Sequence, residues 1–227
     1  MSDGFEKQDS GKGNSGNYYE DYWKRQARIL QTSYINLIII AINIIVFVYS
    51  LFAGEDFISK YDEASDLVVF NHEYYRLITS MFLHGGIKHI GSNLLGLFLL
   101  GAYVEYDLGH ICYIILYFVS GICGSLFSIG WDFYSMEFIP SIGASGAVYG
   151  VIGAVVAIAW FGRKRLRFEG SDLMKRLLIY IVVSLAGGFT EVGIDNAAHV
   201  GGLIGGVLIT VLMTIILKKT YTMEEWI

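Results

Sequence analysis

The chain has 227 residues, of which 54% are hydrophobic and 16% are charged, with a formal net charge of −5 and a mean hydropathy of +0.52. Soluble globular domains carry about a quarter of their residues as charged side chains, so this composition excludes an ordinary soluble domain. The net charge decides less, because in a membrane protein the position of each Lys and Arg carries the information.

Residues 1–33 are polar and include the stretch DSGKGNSGN, which predicts a disordered tail. Three basic residues precede the first apolar segment, namely Lys24, Arg25 and Arg28. Positive charges flank membrane spans on the cytoplasmic side, so we expect the N-terminus in the cytoplasm. Residues 218–227 are expected to form a short cytoplasmic tail, and residues 34–217 a single membrane domain.

Six apolar segments without charged residues follow one another and predict transmembrane helices. They cover residues 34–52, 90–104, 111–130, 144–162, 177–189 and 197–217. A spanning helix needs about 20 apolar residues, within a range of about 17–25. Four segments meet this length, whereas the second and fifth are shorter and can span only if protein buries their polar ends. The expected fold is an all-α membrane protein with six spans.

Two connections between the spans have a distinctive composition. Residues 53–81 form the longest loop and mix acids with apolar and aromatic residues, which is typical of a segment lying in the membrane interface. Residues 163–167, RKRLR, are strongly basic. Alternation of the spans places this basic loop on the cytoplasmic side, in agreement with the N-terminal charges.

The second, fourth and sixth spans run inward and therefore begin at the outer face. Their starts carry the polar sequences HGGIKHIGSN, GASG and DNAAHVGG. The polar side chains that share this depth are those of His84, His89, Asn93, Ser145 and His199. Ionisable side chains within a membrane indicate a functional site by default.

Small residues repeat every four positions at the start of the fourth and sixth spans. They are Gly146, Gly150 and Ala154 in the fourth span and Ala198, Gly202 and Gly206 in the sixth. Faces of this kind let two helices pack backbone to backbone. This packing would bring Ser145 within hydrogen-bond reach of His199.

A serine hydroxyl beside a neutral histidine is the usual pair for nucleophilic catalysis. The oxyanion of the tetrahedral intermediate then needs donors, each worth about 3–4 kcal/mol. His89 and Asn93 are spaced i, i+4 on one helix face, and the backbone N–H of Ser145 is free at a helix start. The arrangement predicts acyl transfer at Ser145 with His199 as the base.

Four motifs, GASGAVYG, HGGIKHIGSN, AHVGGLIGG and GAYVEYDLG, resemble those of the rhomboid intramembrane serine proteases. The last one matches the GxxxExxxG pattern of that family, and the resemblance covers residues 34–217. It implies a six-helix bundle with a long interfacial loop between helices 1 and 2. It also implies cleavage of single-pass membrane proteins in or near the outer end of their transmembrane segments, without metal or cofactor.

The resemblance also implies roles for single residues. Ser145 resembles the nucleophile and His199 its general base, in a dyad without an acid. His89, Asn93 and the Ser145 backbone N–H are similar to the oxyanion donors.

Further residues resemble supporting positions of the family. Tyr149 is similar to the tyrosine that packs on the catalytic imidazole, and Gly143 to the first glycine of GxSG. His84 resembles a supporting histidine in a hydrogen-bond network. Glu105 is similar to a buried structural acid, and Gly202 and Gly206 are expected to be structural.

Three further acidic residues need an interpretation, and one of them has two. Asp195 lies i, i+4 from His199 and is either a third triad member or the N-cap of the sixth span, where Asp is favoured. The family works as a dyad, which favours the cap. Glu191 and Asp132 are expected to be solvated loop acids.

Three other classes of protein compete with a serine protease. A transporter or channel would need polar residues through the full depth, but the fourth and sixth spans are apolar below Tyr149 and His199. An inactive rhomboid-like scaffold would lack one of the dyad residues. A zinc peptidase would need the HExxH spacing, which HGGIKH does not have.

The protease interpretation also predicts where the protein is located and which partners it has. We expect a multi-pass protein of a bacterial cell membrane, with its active site opening to the outer side. Its partners would be the lipid bilayer and membrane protein substrates entering past the fifth span or beneath the long loop, with no nucleic acid. The oligomeric state stays open.

Overall fold

The computed structural model describes residues 13–162 and 193–218, together with positions 179, 181, 182 and 186. The α-helices are α1 (Gly13–Thr32), α2 (Tyr34–Ala53), α3 (Glu55–Tyr61), α4 (Ser65–Phe70), α5 (Arg76–Thr79), α6 (Ile87–Gly96), α7 (Ala102–Leu108), α8 (His110–Ser135), α9 (Ser145–Gly162) and α10 (Asn196–Ile216). A 3₁₀ turn follows α5 and a π-turn, Leu97–Gly101, joins α6 to α7. No β-strand occurs in the described ranges, so the expected all-α class is confirmed.

Four of the described helical segments are long and apolar enough to cross a membrane. They are Tyr34–Ala53, Ile87–Leu108, His110–Ser135 and Asn196–Ile216. The shorter α9 is apolar on all sides, as expected of a helix buried by its neighbours, and nearly all of its side chains are indeed buried. Most of the predicted fifth span and the basic loop at 163–167 lie outside the described residues, so the count of six stays a prediction.

Helix α1 differs from the disordered tail expected for residues 1–33. Residues 13–32 form a helix that packs on the domain, because Ile29 is buried and the Tyr103 hydroxyl hydrogen-bonds Gln26 Oε1. The polar composition did not indicate this helix, because its contacts with the domain come from Gln26 and Ile29 near the end of the segment. Residues 1–12, and 219–227 of the second tail, lie outside the described residues.

The three helices α8, α9 and α10 pack around glycines. A methyl group on Gly202 would collide with the carbonyl of Gly146, and one on Gly206 with the carbonyl of Gly150. On α8, a methyl group on Gly124 would come within 2.9 Å of the Ala198 carbonyl. The start of α9 is therefore held against the start of α10 by direct backbone contact.

The π-turn and Glu105 fix α2 against the second span. The Asn36 side-chain amide donates to the Leu97 carbonyl in the π-turn (3.0 Å) and accepts from the Tyr113 hydroxyl (2.7 Å). A methyl group at position 101 would collide with the Asn36 amide and the Tyr113 hydroxyl, so glycine is required there.

Glu105 is fully buried and accepts the backbone N–H groups of Ile35 and Asn36 at 3.0 and 2.7 Å. These groups are unpaired at the start of α2, where a carboxylate is favoured. Glu105 also contacts His110 Nδ1 at 2.6 Å. The final glycine of GxxxExxxG, Gly109, ends α7 with a φ of 82°, which a side chain would disfavour.

The first loop, residues 54–86, packs against α8 through its helices α4 and α5. Its buried Arg76 donates to Asp62 Oδ1 at 2.8 Å and to Glu73 Oε2 at 2.7 Å. Tyr75 packs beside the Arg76 guanidinium, 5.5 Å from ring centroid to Cζ. The loop is tied to the segment before α9 by two backbone hydrogen bonds of 2.9 Å between Glu63 and Ser141.

Candidate active site

Ser145 is the first residue of α9 and follows a sharp turn at Gly143. Gly143 has a φ of 130°, and its N–H donates to the Ser80 carbonyl at 2.9 Å. A methyl group on Gly143 would lie 2.6 Å from His89 Nε2 and 3.7 Å from Ser145 Oγ. Glycine is therefore needed both for the backbone angle and for the close approach of His89. The half-buried hydroxyl of Ser145 lies beside N–H groups that have no helical partner.

His199 is buried in the first turn of α10 and stacks on Tyr149. The two rings are 4.2 Å apart between centroids, with an interplanar angle of 14°. Tyr149 lies four residues after Ser145 and hence on the same face of α9. The imidazole therefore lies against the face of α9 that carries Ser145, although no hydrogen bond joins the two side chains among the described residues.

Asp195 caps α10 and does not contact the imidazole nitrogen that a triad acid would hold. Its carboxylate accepts the Ala198 N–H at 2.8 Å and the Ser128 hydroxyl at 2.6 Å. Nδ1 of His199 is buried without a hydrogen-bond partner among the described residues. A triad aspartate accepts a hydrogen bond from this nitrogen. The N-cap interpretation of Asp195 is confirmed.

His89 lies in the first turn of α6, and its Nε2 lies beside Gly143. The Gly85 N–H donates to His89 Nδ1 at 3.4 Å. A nitrogen that accepts an N–H cannot carry a proton, so the proton of the neutral ring is on Nε2. That nitrogen is the one beside Gly143, two residues before Ser145. His89 thus presents an N–H donor to the turn that precedes Ser145.

Asn93 and His84 are buried close to His89. The Nδ2 donor of Asn93, one helical turn further along α6, has no hydrogen-bond partner among the described residues. His84 meets His89 edge to face, with 5.1 Å between ring centroids. Burial, followed by the neighbouring His89, lowers the pKa of His84 to about 4. Its contact to His89 is through ring packing, since neither ring nitrogen is hydrogen-bonded among the described residues.

A small cavity lies beside Ser145, with about 20 Å³ available to the centre of a water molecule. This is room for about one water, which needs at least about 10–15 Å³. Small side chains make up much of its wall, including those of Ser80, Gly121, Ser125, Ser141, Gly143 and Ala198. A methyl group on Gly121 would collide with the Met81 side chain, which closes this side of the cavity.

Asp132 was expected to be a solvated loop acid, and this expectation is wrong. Helix α8 continues to Ser135, beyond the apolar segment, and turns Asp132 inward to 6% exposure. The Ser65 hydroxyl donates to its Oδ2 at 2.7 Å. A sequence signal existed, because the small and polar residues Gly121, Ser125, Ser128 and Asp132 follow one another at helical spacing. Glu191 lies outside the described residues.

The sequence also did not predict the burial of Glu63 and Ser65 in the first loop. Both are buried, at 1% and 2% exposure, and Ser65 Oγ lies 3.0 Å from Glu63 Oε1. The sequence alone assigned them no role, because an acid in a loop is ordinarily exposed. Only the folding of the loop over α8 places them inside the protein.

Comparison with known proteins finds a matching family model and several similar proteins. A family model described as Rhomboid domain matches residues 71–215, which include the described site residues from His84 to His199. The chain is 39% identical over 135 residues to Rhomboid protease GluP of Bacillus subtilis (strain 168), covering 59% of this chain and 25% of that protein. It is 28% identical over 216 residues to Rhomboid protease AarA of Providencia stuartii, covering 82% of this chain and 74% of that protein.

A further relative bears a different description. The chain is 36% identical over 136 residues to Inactive RHOMBOID-like protein 8 of Arabidopsis thaliana, covering 59% of this chain and 36% of that protein. The matched part therefore spans about a quarter of GluP and about a third of this plant protein.

Proposed function

The chain belongs to the rhomboid family and is an integral membrane protein, and on that premise we propose that it is an intramembrane serine protease using a Ser145–His199 dyad. Its substrates would be single-pass membrane proteins, cut in or near the outer end of the transmembrane segment. The observation that carries the proposal is the stacking of His199 on Tyr149, one turn along α9 from Ser145.

In the proposed first step, Ser145 Oγ attacks the carbonyl carbon of the scissile peptide bond, and His199 Nε2 accepts the hydroxyl proton. The proton then passes to the amide nitrogen, which leaves as an amine when the C–N bond breaks. An acyl-enzyme remains, and water attacks its ester carbonyl to release the second product and restore the hydroxyl. The stacked Tyr149 ring supports this role by fixing the plane of the imidazole.

The oxyanion of each tetrahedral intermediate would be held by three donors. They are the Nε2–H of His89, the side-chain amide of Asn93 and the backbone N–H of Ser145. The assignment is supported by the tautomer of His89 and by the unpartnered Asn93 Nδ2. Removing one such donor costs about 3–4 kcal/mol of transition-state stabilisation.

The site also suggests what a substrate must do. A helical peptide bond is shielded, so the substrate segment must unwind to reach Ser145. The small cavity beside the hydroxyl favours a small side chain next to the cut bond. The proposed entry route for the substrate lies beside the predicted fifth span or beneath the first loop. The proposed location is the membrane of a bacterial cell. The N-terminus is proposed to lie inside the cell, because the basic residues Lys24 and Arg28 precede α2.

The test is cleavage of a model single-span substrate by the full chain in lipid vesicles. S145A and H199A should each lower kcat by about 10⁴-fold or more. Two exposed residues of the first loop provide matched controls, S59A and H72N, which should cleave like the parent. Asn is chosen at 72 because this residue has a φ of 61°, which Asn tolerates.

A fluorophosphonate reagent gives a second readout, since it labels an activated serine by displacement of fluoride. The parent and S59A should be labelled, and S145A should not. If the folded parent neither cleaves nor reacts, the protease proposal is wrong, and the chain is an inactive rhomboid scaffold. If S145A cleaves as fast as the parent, the assignment of the nucleophile is wrong.

A further inference from the structure

Glu63 of the first loop contacts the segment that leads to Ser145. Its backbone forms two hydrogen bonds of 2.9 Å with Ser141, one in each direction. Ser141 lines the cavity beside Ser145 and lies four residues before it. Any movement of Glu63 is therefore passed to the wall of the candidate active site.

The Glu63 side chain enters a buried cluster that one hydroxyl bridges. Ser65 Oγ lies 3.0 Å from Glu63 Oε1 and 2.7 Å from Asp132 Oδ2. Both are hydrogen-bond distances between oxygen atoms, yet a serine hydroxyl has a single hydrogen to donate. One of the two contacts therefore needs a hydrogen from a carboxyl group. Glu63, with 1% exposure, is the more deeply buried of the two acids.

The same cluster reaches the helix that carries His199. The Ser128 hydroxyl donates to Asp195 Oδ2 at 2.6 Å, and Asp195 Oδ1 caps α10 through the Ala198 N–H. The groups facing Glu63 are Ser65 of α4, Asp132 and Ser128 of α8, and Asp195 before α10. Glu63 Oε2 has no hydrogen-bond partner among the described residues.

The charges in this cluster are all of one sign. Arg76, the nearby cation of the loop, is paired with Asp62 and Glu73. No group of three or more acidic, histidine or cysteine residues in the described part has the arrangement of a metal site. Burial, with the neighbouring Asp195 and Asp132 carboxylates, raises the pKa of Glu63 from 4.5 to about 8. A proton is thus the natural means of neutralising it.

We propose that Glu63 is a positioning residue that acts in its protonated form, joining the first loop to Asp132 and holding both Ser141 and the Asp195 cap in place. Loss of the proton puts a third negative charge into a buried cluster for which the described residues provide no counter-ion. The charge repels Asp132 and Asp195, and the loop moves away from α8. Ser145 and His199 then lose their alignment together, because each is supported by one end of the same cluster. The catalytic consequence rests on the proposed protease function.

The first test is the pH profile of substrate cleavage by the full chain in vesicles, from about pH 6 to about pH 10. The parent should lose kcat by at least about fivefold as Glu63 ionises, with little change in KM, because alignment and not substrate binding is lost. E63Q keeps a neutral group of the same shape and should show no alkaline loss. E63A should have a lowered kcat at every pH.

The matched control is E55Q, which changes an exposed acid of the same loop and should keep the parent profile. An alkaline loss in E63Q equal to that of the parent would overturn the proposal. So would an E63A variant that matches E63Q at every pH, since the polar bridge to Ser65 would then be dispensable.

Two measurements do not depend on activity. The stability of the parent should fall as pH rises from about 4.5 to about 8, because over this interval the folded state holds a proton that the unfolded state lacks. The stability of E55Q should fall with pH as the stability of the parent does. Infrared spectra of the parent at neutral pH should contain a protonated-carboxyl band that E63Q lacks.

These measurements separate the two proposals. If the parent cleaves nothing, the protease function fails while stability and infrared data still decide whether Glu63 holds a proton. If E63Q does not fold, the infrared spectrum and pH-dependent stability of the parent decide alone. Absence of the carboxyl band in a folded parent would overturn the inference.

Discussion

The imidazole of His199 and the phenol ring of Tyr149 are stacked, 4.2 Å apart and within 14° of parallel. This contact joins α9 to α10 and fixes the plane of the ring that would accept the proton of Ser145. A base that can rotate away from its proton donor spends less time in the reactive geometry.

Tyr149→Ala should therefore lower kcat by about ten- to a hundredfold with a smaller effect on KM. Tyr149→Phe keeps the stacked ring and should retain more activity than the alanine variant. Cleavage should be measured well below the unfolding temperature, since truncating a buried aromatic residue also costs about 3–5 kcal/mol of stability. Equal kcat for Ala and Phe would show that stacking does not orient the imidazole.

Asn93 should separate catalysis from stability. Its Nδ2 is buried without a hydrogen-bond partner among the described residues, so removing the amide relieves an unpaired donor that offsets the loss of packing. Asn93→Ala should lower kcat by about 10²–10³-fold and change the free energy of unfolding by less than about 1 kcal/mol. Kinetics and thermal unfolding on the same preparation check both numbers. A large loss of stability with unchanged kcat would assign Asn93 a structural role.

Asp195→Asn should distinguish a helix cap from a triad acid. Asn is about as good an N-cap as Asp, so kcat should stay within about tenfold of the parent, whereas loss of an orienting acid costs about 10⁴-fold. Asp195→Ala should lose about 0.5–2 kcal/mol of stability. A drop in kcat near 10⁴ for the Asn variant would contradict the cap.

Gly202→Ala should strongly destabilise the fold, because the added methyl group collides with the Gly146 carbonyl. Overpacking of this kind costs about 1–3 kcal/mol and occasionally more. The control is Gly130→Ala on the exposed face of α8, where nothing lies within 4 Å of the added methyl. The control should be neutral or stabilised by up to about 1 kcal/mol. Thermal unfolding of the two variants tests the prediction, and equal melting temperatures would refute it.

The parts of the fold that follow from local pattern were predictable, and those that need long-range contacts were not. Apolar length located α2 and α8, and the four-residue repeat anticipated the contact between Gly202 and Gly146. The burial of Asp132 depends on where Ser65 comes to lie, 67 residues earlier in the chain. Hydropathy treats such an acid as exposed, since it contains no term for a distant hydrogen-bond partner.

The candidate site shows the same division. Residue type and spacing pointed to Ser145, His199, His89 and Asn93, because nucleophiles, bases and donors are chemically distinctive. The tautomer of His89 required the position of the Gly85 N–H. The cap at Asp195 required the distance to the Ala198 N–H, since the sequence offered two partners at compatible spacing.

The π-turn at Leu97–Gly101 sets the angular phase between the two halves of one span. Each residue advances a helix by about 100°, so deleting one residue from the turn would rotate His89 and Asn93 by that amount while Glu105 stayed anchored to α2. Both side chains would then turn away from the direction that they now share on α6, in a helix whose hydropathy had hardly changed. This single wide turn therefore fixes the rotation of α6 relative to α7 about the axis of the span.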